Sequence, residues 1–405
     1  MINKLREYQV EIANRGVKIL RSKMMLYLSM EVRCGKTLTA LEIAKLYGAN
    51  NVLFLTKKKA ISSILSDYDR FGYTFNLTVI NNESMHKVIG KFDLIISDEH
   101  HRMGSFPKPS VRTKLFKQMF SNLPIIMLSG TMSPESFSQI YHQFFISKFS
   151  PFGEASFYKW AHNFVNVKKV NRGYSVVNDY SDARIDLIRE KINPYIISFT
   201  QKEAGFTSEV NENILYCDMS EMTYKLIKQL KRDLFIQGKD ELVLADTGIK
   251  MMSKVYQLSN GHVIFESGNS KIMDLSKGLF IKESFKGQKI AILYKFKNDL
   301  EILKQVYGDR LTESIEEFNT TDKNLAMQFI RGREGVNLSS ADKLVFYTLD
   351  FSATTYFQAR ARLQTKDRLN TDVYFIFTRG GMEEHILKAL NEKKNFTLSH
   401  FKKIR

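Results

Sequence analysis

The sequence is poor in cysteine and proline and has no long apolar run. Its two cysteines, Cys34 and Cys217, cannot form a disulfide framework or a structural zinc site, and they fit a reducing compartment. Its six prolines argue against long disordered linkers. No apolar run approaches the roughly 18 residues that a membrane span needs, and the N-terminal sequence MINKLREYQVEI is unlike a signal peptide. These absences favour a globular protein of the cytoplasm.

Acidic residues are outnumbered by basic ones. The 405 residues include 60 Lys and Arg against 43 Asp and Glu, a net charge of +17, and the isoelectric point is about 9.5. This excess indicates a polyanionic partner, either a nucleic acid or an anionic membrane surface. The chain is also 43% hydrophobic, so it can build a core and is not disordered as a whole. The length suggests two or three domains at about 150 residues each.

Short apolar runs alternate with helical patterns along the chain. The runs in the first half are residues 24–29, 51–56, 75–81, 91–101 and 123–131. Such an alternation predicts a parallel sheet covered on both faces, with ligands at the carboxyl ends of its strands. After a less regular stretch at 150–210, a second alternation gives apolar runs near 213–219, 289–295, 324–330, 343–349 and 373–379, with a helix near 354–363. We therefore predict an α/β protein with domains at residues 1–205 and 206–405.

The tripeptide Gly35-Lys36-Thr37 lies between a predicted strand and a predicted helix, as the end of a phosphate-binding loop does. Backbone N–H groups and the helix N-terminus would cradle phosphates. Lys36 would reach the β- and γ-phosphates, and Thr37 would hold Mg²⁺. Met30 stands where the general pattern has its first glycine, so the strict pattern is not met. An ordinary loop is the alternative interpretation.

The tetrapeptide Asp98-Glu99-His100-His101 ends the fourth predicted strand. Here Asp98 would hold Mg²⁺, and Glu99 would orient or deprotonate an attacking water. The alternatives are an acidic strand end with a capping aspartate, and a zinc site built on the two histidines. Ser129-Gly130-Thr131 follows the fifth strand and is either an ordinary turn or a coupling element beside the acidic motif.

Two arginine-rich segments lie in the second half. In RGREGVNL (331–338), Arg331 and Arg333 lie beside glycines, which suits close approach to a phosphate backbone. In QARARLQTKDR (358–368), Gln358 and Arg362 share one face of a predicted helix. An arginine in this position would reach a γ-phosphate as an arginine finger does. A solvated basic surface is the alternative.

In their order along the chain, these motifs resemble those of the superfamily 2 DNA helicases and translocases, and most closely the SWI/SNF-type (DEAD/DEAH-like) branch in a compact phage-type form. The matching segments are LREYQ (5–9), EVRCGKT (31–37), FLTKK (54–58), DEHH (98–101), LSGT (128–131), ISFTQK (197–202) and GVNL (335–338) with Ala341 and Asp342. Arg33 replaces a loop glycine of that family, and Thr365 replaces its second arginine. Arg362 is therefore the first candidate for the finger, with Arg360 and Arg368 as alternatives.

The resemblance implies two RecA-like parallel-sheet lobes of the P-loop NTPase fold, with an ATP cleft between them. Residues 1–205 would form the ATP-binding lobe, with an irregular segment at about 150–205, and residues 206–405 the C-terminal lobe. Gln9 would read adenine. The further residues implied for ATP binding are Arg6, Arg33, Cys34, Gly35, Lys36, Thr37, Leu38, Gly335, Gln358 and Arg362. Thr37 and Asp98 would hold Mg²⁺, and the catalytic set would be Lys36, Asp98, Glu99 and Arg362.

The implied function is an ATP-dependent DNA helicase or translocase in phage-type replication, recombination or repair, located in the host cytoplasm if a phage encodes it. The nucleic-acid contacts would be Lys57, Lys58 and Lys59 in the first lobe and Arg331 and Arg333 in the second. We expect a monomer that acts on single-stranded or branched duplex DNA, with RNA as the alternative and no membrane partner. Two other functions stay open. One is a double-strand translocase that remodels forks without net unwinding, and the other is a nucleic-acid-binding module whose ATPase has decayed.

Overall fold

The computed structural model describes residues 4–171, 176–205, 209–238, 240–329, 338, 340–352 and 370–391. The chain divides into two compact units, Met1–Gly205 and Phe206–Arg405. We call these the first unit and the second unit.

The first unit alternates strands with helices. Its strands are β1 (Met25–Met30), β2 (Asn51–Thr56), β3 (Asn76–Asn81), β4 (Leu94–Ser97), β5 (Ile125–Ser129), β6 (Lys168–Asn171), β7 (Val176–Asp179) and β8 (Ile196–Phe199). Its helices are α1 (Glu7–Lys23), α2 (Lys36–Tyr47), α3 (Ile61–Arg70), α4 (Val111–Phe120), α5 (Ile140–Phe145), α6 (Phe157–Phe164) and α7 (Ile185–Ile192). Short 3₁₀ turns connect several of them.

Six of these strands form one parallel sheet in the order β3-β2-β4-β5-β1-β8. β1, β2, β4 and β5 are buried almost throughout, because helices cover both faces of the sheet. The segments that follow β1, β2, β4 and β5 therefore meet at one edge of the sheet, and these segments carry the sequence motifs.

The stretch from 150 to 205 is more regular than the sequence predicts. It contains α6, the antiparallel β6–β7 pair, α7 and finally β8, which pairs with β1 in the register Tyr27↔Ile196. The aromatic side chains that obscure helical periodicity here, among them Phe152, Phe157 and Trp160, are buried in the core of the unit.

The second unit repeats the architecture. Its strands are β9 (Glu209–Cys217), β10 (Phe235–Gln237), β11 (Leu242–Leu244), β12 (His262–Ile264), β13 (Ser270–Ile272), β14 (Ile290–Tyr294), β15 (Leu311–Thr312), β16 (Asn324–Gln328), β17 (Lys343–Phe346) and β18 (Asn370–Thr378). Its helices are α8 (Glu221–Asp233), α9 (Gly248–Ser259), α10 (Ser276–Ser284), α11 (Lys297–Tyr307), α12 (Ile315–Thr320) and α13 (Glu383–Asn391). A six-stranded parallel sheet runs in the order β15-β16-β14-β17-β18-β9.

The predicted fold class, α/β with two parallel sheets, is confirmed. β2 has the predicted bounds, and the other predicted strands differ by a few residues at their ends. The elements from β10 to α10 have no counterpart in the sequence prediction, and the predicted helix near 354–363 lies outside the described residues. Among the helices of the described ranges, none is long and apolar enough to cross a membrane.

A buried ion pair lies inside the second unit. Lys277 on α10 and Glu383 at the start of α13 are 0% and 1% exposed, and Lys277 Nζ lies 3.3 Å from Glu383 Oε1. Lys277 Nζ also donates to Asn260 Oδ1 at 2.7 Å, and Glu383 Oε1 accepts from the backbone N–H of Thr378. The pair joins α10, the end of α9 and the end of β18 through charge-assisted hydrogen bonds.

Candidate active site

The loop between β1 and α2 folds around its own lysine. Lys36 begins α2, and its Nζ donates to the carbonyl oxygens of Met30 at 2.8 Å and Glu31 at 3.0 Å. Gly35 has φ 75° and Arg33 has φ 64°, in the left-handed region that favours glycine. The first amides of α2 have no carbonyl partner within the helix. Loop and helix together thus bring near one another the N–H groups and lysine that phosphate-binding loops use.

The segment before and at the start of α1 is docked on this loop. Gln9 is buried, its Nε2 donates to the carbonyl oxygen of Gly35 at 3.3 Å, and its Oε1 accepts from the backbone N–H of Arg6 at 2.9 Å. The Tyr8 hydroxyl donates to the carbonyl oxygen of Cys34 at 3.4 Å. A Cβ on Gly35 would lie only 2.3 Å from Gln9 Nε2, so a side chain at this position would displace the Gln9 amide. The motifs at 5–9 and 31–37, predicted to bind one ligand, therefore lie side by side.

Residues at and just after the end of β8 also contact this loop and Tyr8. Gln201 donates from its backbone N–H to Glu31 Oε2 at 2.7 Å and from Nε2 to the carbonyl oxygen of Val32 at 3.0 Å. The ring of Phe199 stacks on Tyr8 with centroids 4.7 Å apart. The resemblance of ISFTQK to a family motif is the one sequence signal for this role.

The two carboxylates after β4 are each held by a residue at the end of β2. Thr56 Oγ1 donates to Asp98 Oδ2 at 2.8 Å, and Lys57 Nζ donates to Glu99 Oε1 at 3.1 Å. Glu99 Oε2 lies 3.4 Å from His101 Nδ1. Glu99 also has φ 50°, which costs a non-glycine residue about 1 kcal/mol or more and is typical of functional sites.

The pKa values of the two carboxyl groups shift in opposite directions. Burial raises the pKa of Asp98, and the charge of Glu99 adds to the rise, while Thr56 and Lys36 oppose it. Burial also acts to raise the pKa of Glu99, but the charges of Lys57 and His101 outweigh it, and the pKa lies below its ordinary value. Opposite shifts in adjacent carboxyl groups are the usual sign of different roles. The charge of Lys36 acts to lower the pKa of both groups, so its ammonium is within electrostatic range of both.

The histidines of the acidic motif are structural. His100 is fully buried, its Nε2 donates to the carbonyl oxygen of Gln143 at 3.0 Å, and its Nδ1 lies 2.9 Å from Ser97 Oγ. His101 Nδ1 lies 2.9 Å from Ser129 Oγ. Within the described ranges, no group of three or more His, Cys, Asp or Glu side chains is arranged to hold a metal. The zinc interpretation therefore gains no support.

Two buried histidines are expected to make the first unit sensitive to acid. Burial lowers the pKa of His100 and of His142 from 6.5 to about 4, although each ring is hydrogen-bonded to a backbone carbonyl. Between pH 6.5 and 4 these histidines are protonated in the unfolded chain but stay mostly neutral in the folded one. Folding stability therefore falls as the pH falls. In this window, each ring is expected to lower the free energy of unfolding by about 1.4 kcal/mol for each unit that the pH falls. Urea unfolding at pH 6.5 and 5 measures the loss.

The control for this pH dependence is a pair of variants. His142→Gln is expected to lose less stability between pH 6.5 and 5 than the unmodified chain, because glutamine does not titrate. His86→Gln, at an exposed position, is expected to lose as much stability between pH 6.5 and 5 as the unmodified chain. Equal losses in His142→Gln and the unmodified chain would contradict the assignment.

The remaining predicted residues fall into three groups. Thr37 and Leu38 lie half-buried in the first turn of α2, and burial raises the pKa of Cys34 to about 11. Lys58 and Lys59 are exposed in the turn after β2, whereas Lys57 is paired with Glu99. The predicted residues that lie outside the described residues are Arg331, Arg333, Gly335, Gln358, Arg360, Arg362, Thr365 and Arg368.

The turn after β5 completes the site within the first unit. A Cβ on Gly130 would lie 3.7 Å from Lys36 Nζ, so this turn passes beside the loop lysine. The Ser129 hydroxyl donates to the carbonyl oxygen of Thr131 at 2.8 Å. The chain of contacts from Glu99 through His101 to Ser129 thus connects the acidic motif to this turn.

The donor set fits a nucleotide with Mg²⁺. A threonine hydroxyl and an aspartate carboxylate are hard oxygen ligands of the kind that Mg²⁺ prefers. A lysine ammonium and the N-terminus of a helix suit the attached phosphates. Arg33 has φ 64°, a conformation that favours glycine, at the position where the family motif has glycine.

Comparison with known proteins gives distant similarities. The chain is 20% identical over 361 residues to the CHD3-type chromatin-remodeling factor CHR7 of Arabidopsis thaliana, covering 79% of this chain and 28% of that protein. It is 25% identical over 158 residues to Chromodomain-helicase-DNA-binding protein 1 of Homo sapiens, covering 34% of this chain and 9% of that protein. The chain thus spans about a quarter of the length of the first relative and about a tenth of the second. No protein-family model matches the chain.

Two solved structures are also similar. One is the Sulfolobus solfataricus SWI2/SNF2 ATPase core in complex with dsDNA, at 16% identity and TM-score 0.46, covering 97% of this chain and 92% of that chain. The other is the ATPase core domain from the same organism, at 16% identity and TM-score 0.44, with coverages of 96% and 89%.

Proposed function

We propose that this chain is a DNA-stimulated ATPase of the SWI2/SNF2 type that moves along DNA. The observation that carries the proposal is that the Lys36 loop after β1 and the Asp98–Glu99 pair after β4 lie at the same edge of one parallel sheet. The ordered motifs and the net charge of +17 support it. The two curated relatives are named for chromatin remodelling and for helicase and DNA-binding character, which agrees with the proposal.

The main site residues of the first unit have the following proposed roles. The loop amides and Lys36 bind the phosphates of ATP, and Gln9 recognises the adenine. Thr37 and Asp98 hold Mg²⁺, which supplies positive charge against the phosphate oxygens. Glu99, whose pKa is low, is ionised at neutral pH and positions the attacking water. Catalysis in such a site is mostly positioning and charge stabilisation.

The remaining proposed residues are taken from the sequence motifs of the second unit. Arg362 is the proposed arginine finger, with Arg360 and Arg368 as alternatives, and Gly335 and Gln358 are further proposed ATP contacts. Arg331 and Arg333 are proposed to bind DNA phosphates together with Lys58 and Lys59 of the first unit. These assignments rest on the sequence motifs.

Hydrolysis stimulated by DNA is the decisive measurement. Phosphate release by the unmodified chain is expected to be slow alone and to rise about tenfold or more with duplex DNA, as for motors whose site is completed by closure on substrate. DNA affinity should fall steeply from 50 to 200 mM salt, because bound cations release counterions from the phosphates. Phosphate release that stays at background with and without DNA would favour a binding module with a decayed ATPase instead.

The mode of movement needs a second assay. Strand displacement from a forked duplex reports unwinding, whereas displacement of a third strand from a triplex reports translocation on duplex DNA. Triplex displacement without strand separation supports the duplex translocase, and strand separation supports the helicase. A phage-type role in replication, recombination or repair stays a prediction from the resemblance.

A further inference from the structure

The ion pair between Lys57 and Glu99 joins the proposed DNA segment to the proposed catalytic carboxylate. Lys57 follows β2 directly, and its Nζ lies 3.1 Å from Glu99 Oε1. The two side chains are 18% and 21% exposed, so water screens the pair only partly. The other carboxylate oxygen faces His101 at 3.4 Å. Both oxygens of Glu99 therefore face a nitrogen of its surroundings.

The same lysine belongs to a basic run at the surface. Lys58 and Lys59 are exposed in the 3₁₀ turn Lys58–Ala60 that follows Lys57. A nucleic-acid backbone drawn to this turn would bring a phosphate close to Lys57. A lysine ammonium is a compact charge on a flexible stem, so it can exchange one anion for another without moving the backbone.

The carboxylate has further contacts besides Lys57, whereas Lys57 is a lysine on a flexible four-carbon side chain. Glu99 has φ 50°, and Thr56 Oγ1 anchors the adjacent Asp98 at 2.8 Å. His101, which faces Glu99 Oε2, is tied in turn to Ser129 Oγ at 2.9 Å. Withdrawal of the Lys57 ammonium would therefore uncover Glu99 Oε1 without displacing the carboxylate.

We propose that Lys57 is a latch that couples DNA binding to hydrolysis: without DNA its ammonium occupies Glu99 Oε1, and a DNA phosphate draws it away and frees that oxygen to position water. This inference rests on the proposed function and names its regulation. Lys57 is in this role a positioning residue, because it acts through Glu99. The ion pair keeps hydrolysis slow without DNA, and its exchange for a phosphate contact accounts for part of the stimulation.

Removal of the Lys57 latch is expected to make ATP hydrolysis less dependent on DNA. Lys57→Ala should raise ATP hydrolysis in the absence of DNA about three- to tenfold, the effect of losing one partly buried ion pair. The ratio of the rates with and without saturating DNA should fall by a similar factor. Lys114→Ala, at an exposed position on α4, is the matched loss of one lysine and should leave both rates unchanged.

DNA affinity measured without nucleotide gives a readout independent of hydrolysis. Glu99→Gln removes the carboxylate that competes for Lys57, so fluorescence anisotropy with a labelled duplex should show DNA binding about three- to tenfold tighter than in the unmodified chain. Lys57→Ala should bind more weakly, with a slope against log salt that is smaller by about 0.9. In the variant that carries both changes, Glu99→Gln should no longer tighten binding.

The outcomes separate the latch from the proposed function. If hydrolysis is stimulated by DNA but Lys57→Ala keeps the low basal rate, and Glu99→Gln leaves DNA affinity unchanged, the latch is refuted and the ATPase stands. If the unmodified chain hydrolyses no ATP, the proposed function fails, and the anisotropy of Glu99→Gln still decides whether Lys57 is shared between carboxylate and DNA. Unchanged DNA affinity in Lys57→Ala also overturns the latch.

Discussion

Lys36→Ala is expected to abolish ATP turnover, with at least a 100-fold loss, on the order found when one charge-stabilising donor is removed from an active site. The Lys36 ammonium is held beside the loop carbonyls, and its charge acts on both carboxylates. Phosphate release at saturating ATP and DNA measures the effect.

Glu99→Gln should reduce ATP turnover by a similar factor while ATP binding is kept. Glutamine retains the shape of the side chain but cannot accept a proton or carry the charge that orients water. Binding of a fluorescent ATP analogue checks that the loop is intact. Lys45→Ala, at an exposed position on the same helix as Lys36, is the control and should retain turnover. Hydrolysis at the wild-type rate by Glu99→Gln would show that another group activates the water.

Lys277→Met is expected to destabilise the second unit by about 3–5 kcal/mol, because it leaves a buried carboxylate without its counter-charge. Glu383 is 1% exposed, and its Oε2 has no hydrogen-bond partner in the part of the chain that the structure describes. Removing the lysine leaves mainly the Thr378 N–H to stabilise the charge. Urea unfolding followed by circular dichroism should show the second unit melting at lower denaturant.

The matched control changes both partners. Lys277→Met combined with Glu383→Gln removes the charge as well as its partner, and it should recover a large part of the lost stability, as replacing both members of buried pairs often does. If the free energy of unfolding of Lys277→Met alone lies within 1 kcal/mol of that of the unmodified chain, the ion pair contributes little to stability.

The core of the site was predictable because its residues are local in sequence. Gly35-Lys36-Thr37 follows an apolar run and begins a helix, and Asp98-Glu99 ends another apolar run. Buried parallel strands are continuous apolar segments, so their carboxyl ends can be read from the sequence. The two carboxylates and the loop thus fall at the same edge of the sheet from pattern alone.

The proposed latch contact and the contacts that support the site were not predictable in the same way. The pairing of Lys57 with Glu99 joins residues 42 positions apart, and Gln201 reaches a loop about 170 residues before it. No spacing rule connects such positions. Lys277 carries no sequence sign of burial, because a lysine in an amphipathic helix is normally solvated. The short strands β10 to β13 are too brief to show a period.

The order of the strands also determines when each unit can be completed during synthesis. β1 is among the first segments made, yet it pairs with β5 and β8, about 100 and 170 residues later. β9 begins the second unit and pairs along its whole length with β18. Each sheet therefore cannot be completed until a distant strand has been synthesised. Until then, an apolar strand edge stays unpaired and can associate with other chains. Vectorial synthesis thus leaves each nascent unit dependent on protection of that edge.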